Sequence, residues 1–246
     1  MSIPKIIHYC WFGGGPISAE SQKCMESWKK YCPDYKIIEW NDQNFDISQN
    51  RYAQQAYEAK KYAFVSDYVR LAVLYEYGGI YLDTDVELVR PLDELLELPG
   101  FMGFQTNNEV ATGLGFGARK GNSVVQALLR DYDALDFLKA DGSADLTPCP
   151  ERNTRVLQAL GVRKDGTRQS IAEMEIFPAE YFCPMDLYSR KLRVTPKTYS
   201  IHRYAESWKP KPSAVSRILQ RLLKKHYYTW YCPLRGRIEG RLRKRT

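Results

Sequence analysis

Two aspartates, Asp83 and Asp85, are one residue apart and directly follow a short apolar run, residues 80–82. Carboxylates at positions i and i+2 of a strand point to the same face, and around a turn they can also converge, so either geometry can hold one hard divalent cation. Buried together without a cation, the two like charges would raise the pKa of one of them. The pair therefore predicts a metal site, and a polar turn after a strand is the alternative that the tripeptide alone favours.

The segments before these aspartates are typical of an α/β nucleotide-binding fold. Residues 3–12 form an apolar, β-rich run that predicts a first strand, and a turn of three glycines and a proline follows it. Ser18 is a suitable N-cap for a helix that ends near Tyr31. Residues 35–40 predict a second strand, and the strand-helix-strand order favours parallel pairing of the two strands.

The helix that leads to the aspartates has the clearest signal in the chain. Apolar residues recur at helical spacing from Phe64 to Tyr75, and two glycines then follow as a stop signal. Residues 80–82 fit a short buried strand with the aspartates at its carboxyl end. This end of a strand faces the ligand in open α/β sheets, so we expect the two carboxylates to lie in a binding site.

Weaker signals predict the remaining elements. A helix is expected at about residues 48–59, and alternating glycines between residues 113 and 117 suit a strand with little side-chain bulk on one face. Further elements are expected as strands near residues 101–104, 114–118, 175–177 and 199–202, and as helices near residues 123–132 and 151–160.

Charge divides the chain into two parts, a predicted domain of residues 1–213 and a basic tail of residues 214–246. The tail has ten Lys and Arg residues against one acid, so its share of +9 in the total net charge of +7 leaves about −2 for the domain. An apolar stripe opposite the basic residues, followed by Tyr and Trp, predicts an amphipathic helix on an anionic membrane surface. Packing of this helix on its own domain or on a second subunit, as a homo-oligomer, is the alternative. The domain itself shows no basic excess that would suit a nucleic-acid substrate.

The sequence lacks the patterns of a membrane-spanning or secreted protein. No run approaches about 18 uninterrupted apolar residues, and the first residues have no charged leader or long apolar stretch. We therefore expect a cytoplasmic protein that contacts the cytoplasmic face of the inner membrane peripherally. The six cysteines are scattered without a C-x-x-C spacing, which predicts reduced thiols, with structural zinc as the alternative.

Three segments together resemble a known family. In order, they are IPKIIHYCWFGG at residues 3–14, FVSDYVRLAVLYEYGGIYLDTD at residues 64–85 and IHRYAESW at residues 201–208. The chain is similar to the DXD-type glycosyltransferases with a sugar-binding region, family 32, which includes fungal mannosyltransferases and bacterial capsule and lipopolysaccharide enzymes and is related to the glucosyltransferase domains of clostridial toxins. The resemblance implies a GT-A type fold, a single Rossmann-like nucleotide-sugar-binding domain with a mixed central sheet. It also implies a nucleotide-sugar donor, Mn²⁺ or Mg²⁺, and retention of the anomeric configuration.

The resemblance also implies roles for the charged residues of these segments. Asp85 would ligate the metal directly, and Asp83 would touch the metal or the ribose. Asp67 would accept hydrogen bonds from hydroxyls of the donor sugar, and Arg70 would contact the sugar or diphosphate; an ordinary surface ion pair is the alternative for these two. His202 follows a predicted strand and is expected as the third metal ligand, with an imidazole that suits Mn²⁺, while a satisfied core or surface histidine is the alternative.

Other residues are expected to contact the nucleotide or the sugars. Trp11 would stack on the uracil, with His8 in a supporting role, and an ordinary core tryptophan is the alternative. The Ser-Trp step of the third segment would contact the β-phosphate through Ser207 and Trp208, both hydrogen-bond donors. The polar segments of residues 105–116 and 147–153 suit a pocket for donor or acceptor hydroxyls. Candidates there are Asn107, Asn108 and Thr112, which equally suit ordinary loops.

These observations predict an enzyme. The leading hypothesis is a retaining, metal-dependent glycosyltransferase that moves a hexose, galactose or glucose, from a UDP-sugar to a lipid-linked or oligosaccharide acceptor in bacterial surface polysaccharide synthesis. The alternatives are another donor, such as GDP-mannose or UDP-N-acetylhexosamine, and a non-catalytic protein that binds membranes or nucleic acid through the tail. A glycosidase would need two carboxyl groups that flank the bond about 5–9.5 Å apart, which an adjacent D-x-D pair does not provide.

Overall fold

The computed structural model describes residues 2–186 and 189–205, which form ten strands and six α-helices. The strands are β1 (Ile6–Cys10), β2 (Lys36–Trp40), β3 (Gly79–Tyr81), β4 (Val86–Leu88), β5 (Gly100–Phe104), β6 (Val110–Ala111), β7 (Phe116–Ala118), β8 (Gln169–Ile171), β9 (Met174–Phe177) and β10 (Ser200–His202). The α-helices are α1 (Ala19–Tyr31), α2 (Arg51–Glu58), α3 (Tyr62–Tyr77), α4 (Ser123–Asp133), α5 (Cys149–Ala159) and α6 (Ala179–Phe182). Short 3-10 helices lie at Ile47–Gln49 and Asp93–Leu95.

One central sheet organises these elements in the strand order β2-β1-β3-β7-β5-β9-β8, with β6 paired to β5. β1 pairs in parallel with β2 and β3, whereas β7 runs antiparallel to β3 and β5, and β9 is parallel to β5. The parallel pairing predicted for the first two strands is confirmed. The predicted fold class, an α/β domain with a Rossmann-like start and a mixed central sheet, is confirmed as well.

Helix α1 begins, and helix α3 ends, at the residues that the sequence predicts. Ser18 caps α1, since its hydroxyl oxygen accepts a hydrogen bond from the Ser21 N–H at 3.1 Å. Gly78 ends α3 with a φ of 66°, a conformation that suits a residue without a side chain. At Gly79, a Cβ atom would lie only 2.8 Å from the carbonyl oxygen of Ile6, so this glycine lets β3 approach β1 closely.

The sheet has a hydrophobic core on each face. β3 contributes to both, because Tyr81 joins the core under α2, α3 and α4, whereas Ile80 and the adjacent Leu82 join the core that includes Trp28 of α1. All three residues of β3 are buried, which explains its uninterrupted apolar sequence. A strand with one solvent-exposed face would instead alternate apolar and polar residues.

Several elements differ from the sequence-based expectation. The helix expected at residues 48–59 is interrupted at Asn50, whose side-chain oxygen caps α2 by accepting the Ala53 N–H at 3.0 Å. β4 was not expected, and it pairs antiparallel with β10 in a second small sheet. β6, β8 and α6 were also missed. These elements are two to four residues long, too short to produce a periodic sequence signal.

The proposed domain boundary and the tail remain predictions. The described chain ends at Ala205, so the tail of residues 214–246 lies outside the described residues. Within the described part of the chain, no helix combines the length and apolar character needed to cross a membrane.

Candidate active site

The two aspartates leave the sheet at the carboxyl end of β3, as the sequence predicts. They occupy a turn rather than a continuous strand, because the Val86 N–H donates to the Asp83 carbonyl oxygen at 3.0 Å. The backbone of Asp83 is also tied across to the neighbouring loop, with its N–H 3.2 Å from the carbonyl oxygen of Gly113. The carboxylates therefore converge around a turn, one of the two geometries that suit a cation.

The unexpected small sheet brings a histidine to the aspartates. His202 of β10 pairs with Val86 of β4, one residue after Asp85. Its Nε2 atom lies 3.2 Å from Asp85 Oδ1, and one ligand atom from each of Asp83, Asp85 and His202 can be chosen within 4.8 Å of one another. The His202 Nδ1 atom is buried and has no hydrogen-bond partner among the described residues. Two carboxylates and one imidazole are a donor set that fits Mn²⁺, and also Mg²⁺ through its oxygens.

Each of these three groups has a shifted pKa. Burial favours the neutral acid at Asp85, but the His202 ring and the Ala205 N–H at 2.7 Å overcome it and lower the pKa of Asp85 to about 2. Burial raises the pKa of Asp83 against the effect of the Arg70 charge, and the neighbouring Asp85 charge raises it further. At His202, burial disfavours the imidazolium, yet the Asp85 carboxylate raises the pKa above 6.5. The cluster therefore attracts positive charge, either a proton or a cation.

A buried arginine connects α3 to this cluster. The Arg70 Nη2 atom lies 3.1 Å from Asp67 Oδ1 and 3.2 Å from Asp83 Oδ1, and the guanidinium packs over the Tyr81 ring. Only 4% of Arg70 is exposed, so the surface ion pair considered as an alternative is excluded for Asp67 and Arg70. The Tyr81 hydroxyl donates to the same Asp83 oxygen at 3.0 Å. The guanidinium is thus held in place by two carboxylates and an aromatic face.

Asp67 lies deeper than the other two carboxylates. Burial raises its pKa to about 6 against the opposing charge of Arg70, and the Asp83 charge adds to the rise. The Cys149 thiol at the start of α5 also hydrogen-bonds to Asp67 and contacts the Thr112 hydroxyl at 3.2 Å. Thr112 is fully buried in this network and does not line an open pocket.

The loop before β7 closes over Asp83. A Cβ atom at Gly113 would overlap the Asp83 carboxylate and lie 3.1 Å from Arg70 Nη1, so only glycine fits there without movement. Asn107 and Asn108 lie in the preceding turn, between β5 and β6. The Asn107 side chain donates to Glu109 at 3.0 Å, and Asn108 adopts a φ of 61° in the turn.

Trp11 and His8, both predicted to contribute to nucleotide binding, lie in different surroundings. Trp11 lies just past the end of β1, partly exposed, and its indole N–H donates to the Gly15 carbonyl at 2.5 Å. His8 is fully buried, and both its ring nitrogens are engaged, Nδ1 with the Trp40 indole N–H at 3.0 Å and Nε2 with the Gly78 carbonyl at 2.9 Å. His8 therefore does not reach the site, and any contribution to donor binding would be indirect. Ser207 and Trp208 lie outside the described residues.

Tyr81, Gly113 and Cys149 were missed by sequence reasoning. Tyr81 could have been found from its spacing. It lies two residues before Asp83, and residues at this spacing along a strand point to the same face. Gly113 was noted only as part of a glycine alternation. Cys149 had no local signal, since its contact with Asp67 depends on how α5 packs.

Comparisons with known proteins agree with this site. Residues 18–101 match the family model described as the glycosyltransferase sugar-binding region containing DXD motif, which confirms the family resemblance and includes the two aspartates. The chain is 30% identical over 147 residues to inositol phosphoceramide mannosyltransferase 3 of Schizosaccharomyces pombe, a match that covers 55% of this chain and 39% of that protein. It is 26% identical to the uncharacterized glycosyltransferase L373 of Acanthamoeba polyphaga mimivirus, over 85% of this chain and 84% of that protein. The chain thus spans well under half the length of the fungal relative.

Among solved structures, the PaToxG glycosyltransferase aligns with a TM-score of 0.49 and 22% identity, covering 64% of this chain and 70% of that one. The family match and the mixed sheet together agree with the GT-A type domain that the resemblance implies.

Proposed function

We propose that this protein is a retaining, metal-dependent glycosyltransferase that transfers a hexose from a nucleotide-sugar donor, UDP-galactose or UDP-glucose, to a lipid-linked or oligosaccharide acceptor in the synthesis of a bacterial surface polysaccharide. One observation supports this above all. Asp83, Asp85 and His202 converge at the carboxyl end of β3, with Arg70 beside them, inside a chain that matches the DXD sugar-binding region.

The residues at this point fit a divalent cation. Asp83, Asp85 and His202 would hold Mn²⁺ or Mg²⁺, because one ligand atom from each lies within 4.8 Å of the others. When bound, the cation would supply positive charge that stabilises the diphosphate leaving group.

The chain's own charges would act on the same groups. Arg70 is always protonated, and its fixed guanidinium offers donors to the diphosphate or the sugar without further ordering. Asp67 lies on the adjacent turn of α3, where its carboxylate can accept hydrogen bonds from sugar hydroxyls and orient the ring. Trp11, which is partly exposed just past the end of β1, would stack on the base.

Retention is proposed to proceed by attack of the acceptor hydroxyl on the face from which the nucleotide departs. The thiols closest to the site, Cys10 and Cys149, are protonated because burial raises the pKa of each to about 12. The carboxylates of Asp67 and Asp83 are engaged by Arg70. In this scheme the departing phosphate takes the proton of the acceptor hydroxyl, and no covalent sugar-enzyme intermediate forms.

A second candidate donor is GDP-mannose. The fungal relatives are mannosyltransferases by name, and the first acts on inositol phosphoceramide, a lipid. A lipid-linked acceptor for this chain agrees with that name. UDP-N-acetylhexosamine is a third candidate, because a human relative, 28% identical over 60% of this chain, is named an α-1,4-N-acetylglucosaminyltransferase.

Calorimetric binding of a donor panel would test the proposal. We expect one nucleotide sugar to bind in the presence of Mn²⁺, and binding to be lost in Asp85→Ala, which removes a metal ligand while leaving the fold intact. Glu26→Ala, an exposed acid on α1, is the matched control and should bind as the wild type does. Equal binding by Asp85→Ala, or binding by no donor, would contradict the proposal.

Peripheral contact with anionic membranes through residues 214–246 completes the proposal. Exchange of Arg217, Arg221, Lys224 and Lys225 for Gln should release the protein from anionic vesicles in a flotation assay, while donor binding persists. Unchanged flotation would refute the membrane role of the tail, and it would leave the transferase assignment untouched.

A further inference from the structure

An aromatic groove lies along the side of α3 that faces away from the aspartates. It encloses about 360 Å³. We call it the α3 groove, and its aromatic walls are Trp40, Phe45, Tyr68, Tyr75 and Tyr77. A cavity of this size is in the range of ligand-binding pockets.

The rings in the α3 groove are ordered against one another, and they differ in exposure: Tyr77 is exposed, Tyr68 is buried, and the other three are partly buried. Trp40 and Tyr77 stack with centroids 5.5 Å apart and an interplanar angle of 24°, and the Phe45 ring meets Trp40 edge-on at 6.2 Å. Half of Tyr77 is exposed, at 50%, which is high for a large aromatic side chain. The exposed ring of this stack is Tyr77, and an aromatic face of this kind is electron-rich.

The charged residues that line the α3 groove are all acidic, and they are Asp46, Glu76 and Asp133. One oxygen of Asp133 accepts a hydrogen bond from Asn50 at 3.1 Å, and one oxygen of Asp46 accepts from Ser48. Glu76 forms an exposed ion pair with Lys120 at 2.9 Å, which offsets part of the charge at one end. An adjoining cleft has the same character, with Asp42, Asp46 and Glu58 and no basic residue in its lining.

Aromatic faces with carboxylates at the rim suit an organic cation. Lysine and arginine head groups bind over Trp and Tyr rings, and nearby carboxylates add ionic attraction. A polyanion, by contrast, would meet repulsion from every charged residue in the lining. The chemistry of the groove therefore points to a basic peptide segment.

The chain supplies such a segment itself. Residues 214–246 have ten Lys and Arg residues against one acid, whereas residues 1–213 carry about −2. The described chain ends at Ala205, whose N–H is bonded to Asp85. The eight residues 206–213 that connect Ala205 to this segment can span up to about 28 Å when extended. A tethered segment also has a high effective concentration.

We propose that the α3 groove binds the basic segment 214–246 of the same chain, with lysine or arginine head groups against the Trp40–Tyr77 stack and the carboxylates of Asp46 and Asp133. The inference rests on the charge and aromatic lining of the groove and is independent of the transfer activity. Anionic membranes and the groove would then compete for one segment.

Carbodiimide coupling of the full-length protein tests this directly, because it joins a lysine amine to a carboxylate only where the two are in contact. Peptide mass spectrometry of the monomer band should show Lys224 or Lys225 joined to Asp46 or Asp133. Coupling of Lys120 to Glu76, which are already paired, serves as the internal positive control. The signal should disappear at high salt, where ionic contacts between exposed groups are screened.

One double variant of the segment and a labelled mixture complete the experiment. Lys224→Arg with Lys225→Arg keeps the charge but removes the reactive amines, so these couplings should vanish while Lys120 still couples. A mixture of unlabelled and ¹⁵N-labelled protein should give no mixed pairs, because the segment binds its own chain. The proposal is overturned if Lys120 couples but the segment lysines do not reach the groove carboxylates, or if the couplings join two copies.

Discussion

The two sides of helix α3 differ in how their charged residues are paired. On one side, Asp67 and Arg70 are buried, of opposite sign, and joined to Asp83 within 3.2 Å. On the other side, the α3 groove has aromatic walls, with the Tyr77 ring exposed, and an acidic rim. Buried charges must be paired inside the protein, so the Asp67-Arg70-Asp83 cluster has one fixed arrangement. The α3 groove, in contrast, can accept a charged partner from solution.

The largest difference in stability should appear when one basic residue is replaced on each side of α3. Arg70→Met leaves the buried Asp67 and the partly buried Asp83 without their partner, and we expect it to lower the free energy of unfolding by about 3–5 kcal/mol. Lys120→Met removes the exposed partner of Glu76 and should cost about 1 kcal/mol or less. Urea unfolding of both variants measures the contrast. Similar small losses in both would show that the Asp67-Arg70-Asp83 arrangement contributes no more than a surface pair.

His8 is buried next to the α3 groove, since it contacts Trp40 of the groove and Gly78 at the end of α3. Burial lowers its pKa to about 4 from 6.5. The unfolded chain therefore binds a proton first as the pH falls, so this histidine should reduce the free energy of unfolding progressively between pH 6.5 and 4, by about 3 kcal/mol in total. Unfolding of the wild type and of His8→Gln at several pH values measures the difference. A parallel pH dependence of the two proteins would contradict this role of His8.

Trp11 should affect donor binding without affecting the chemical step. Trp11→Ala removes a base stack of about 1–3 kcal/mol, which corresponds to a roughly 5- to 150-fold weaker Kd for the donor. Because stacking acts equally in the ground and transition states, kcat at saturating donor should persist. Trp11→Phe should recover part of the affinity. A lowered kcat with an unchanged Kd would place Trp11 outside the base site.

The smallest effect is expected at Tyr77, on the groove side. Tyr77→Ala removes its stack on Trp40 and should cost about 0.5–1.5 kcal/mol of stability, since half of the side chain is already exposed. Thermal unfolding measures this cost, with Tyr77→Phe as the control that keeps the ring. A cost as large as that of Arg70→Met would mean that the groove is part of the rigid core and is not a binding surface.

Much of the site could be predicted because its residues belong to strong local patterns. The periodicity of α3, its glycine stop and the run before Asp83 are each determined within about 20 residues of sequence. They correctly predicted that the aspartates follow a buried strand at the carboxyl edge of the sheet. The parallel start of the sheet followed from the same kind of local signal.

Long-range pairing accounts for what could not be predicted. β4 and β10 are three residues each and more than 100 residues apart; the resemblance implied that His202 joins the aspartates, but the strand pairing that brings it beside Asp85 had no local signal. The burial of His8 likewise depends on Trp40 and Gly78, which are distant in sequence.

The sequence by itself determined the α/β class, the position of the D-x-D pair and the family resemblance, because these depend on periodicity and on residue types at short spacing. Only the tertiary structure decided that Arg70 is buried between two carboxylates, that Gly113 closes over Asp83, and that α3 has an aromatic, acidic groove on its other side. The physical reason is that burial and charge pairing depend on which distant segments meet, and the local sequence carries no record of those contacts.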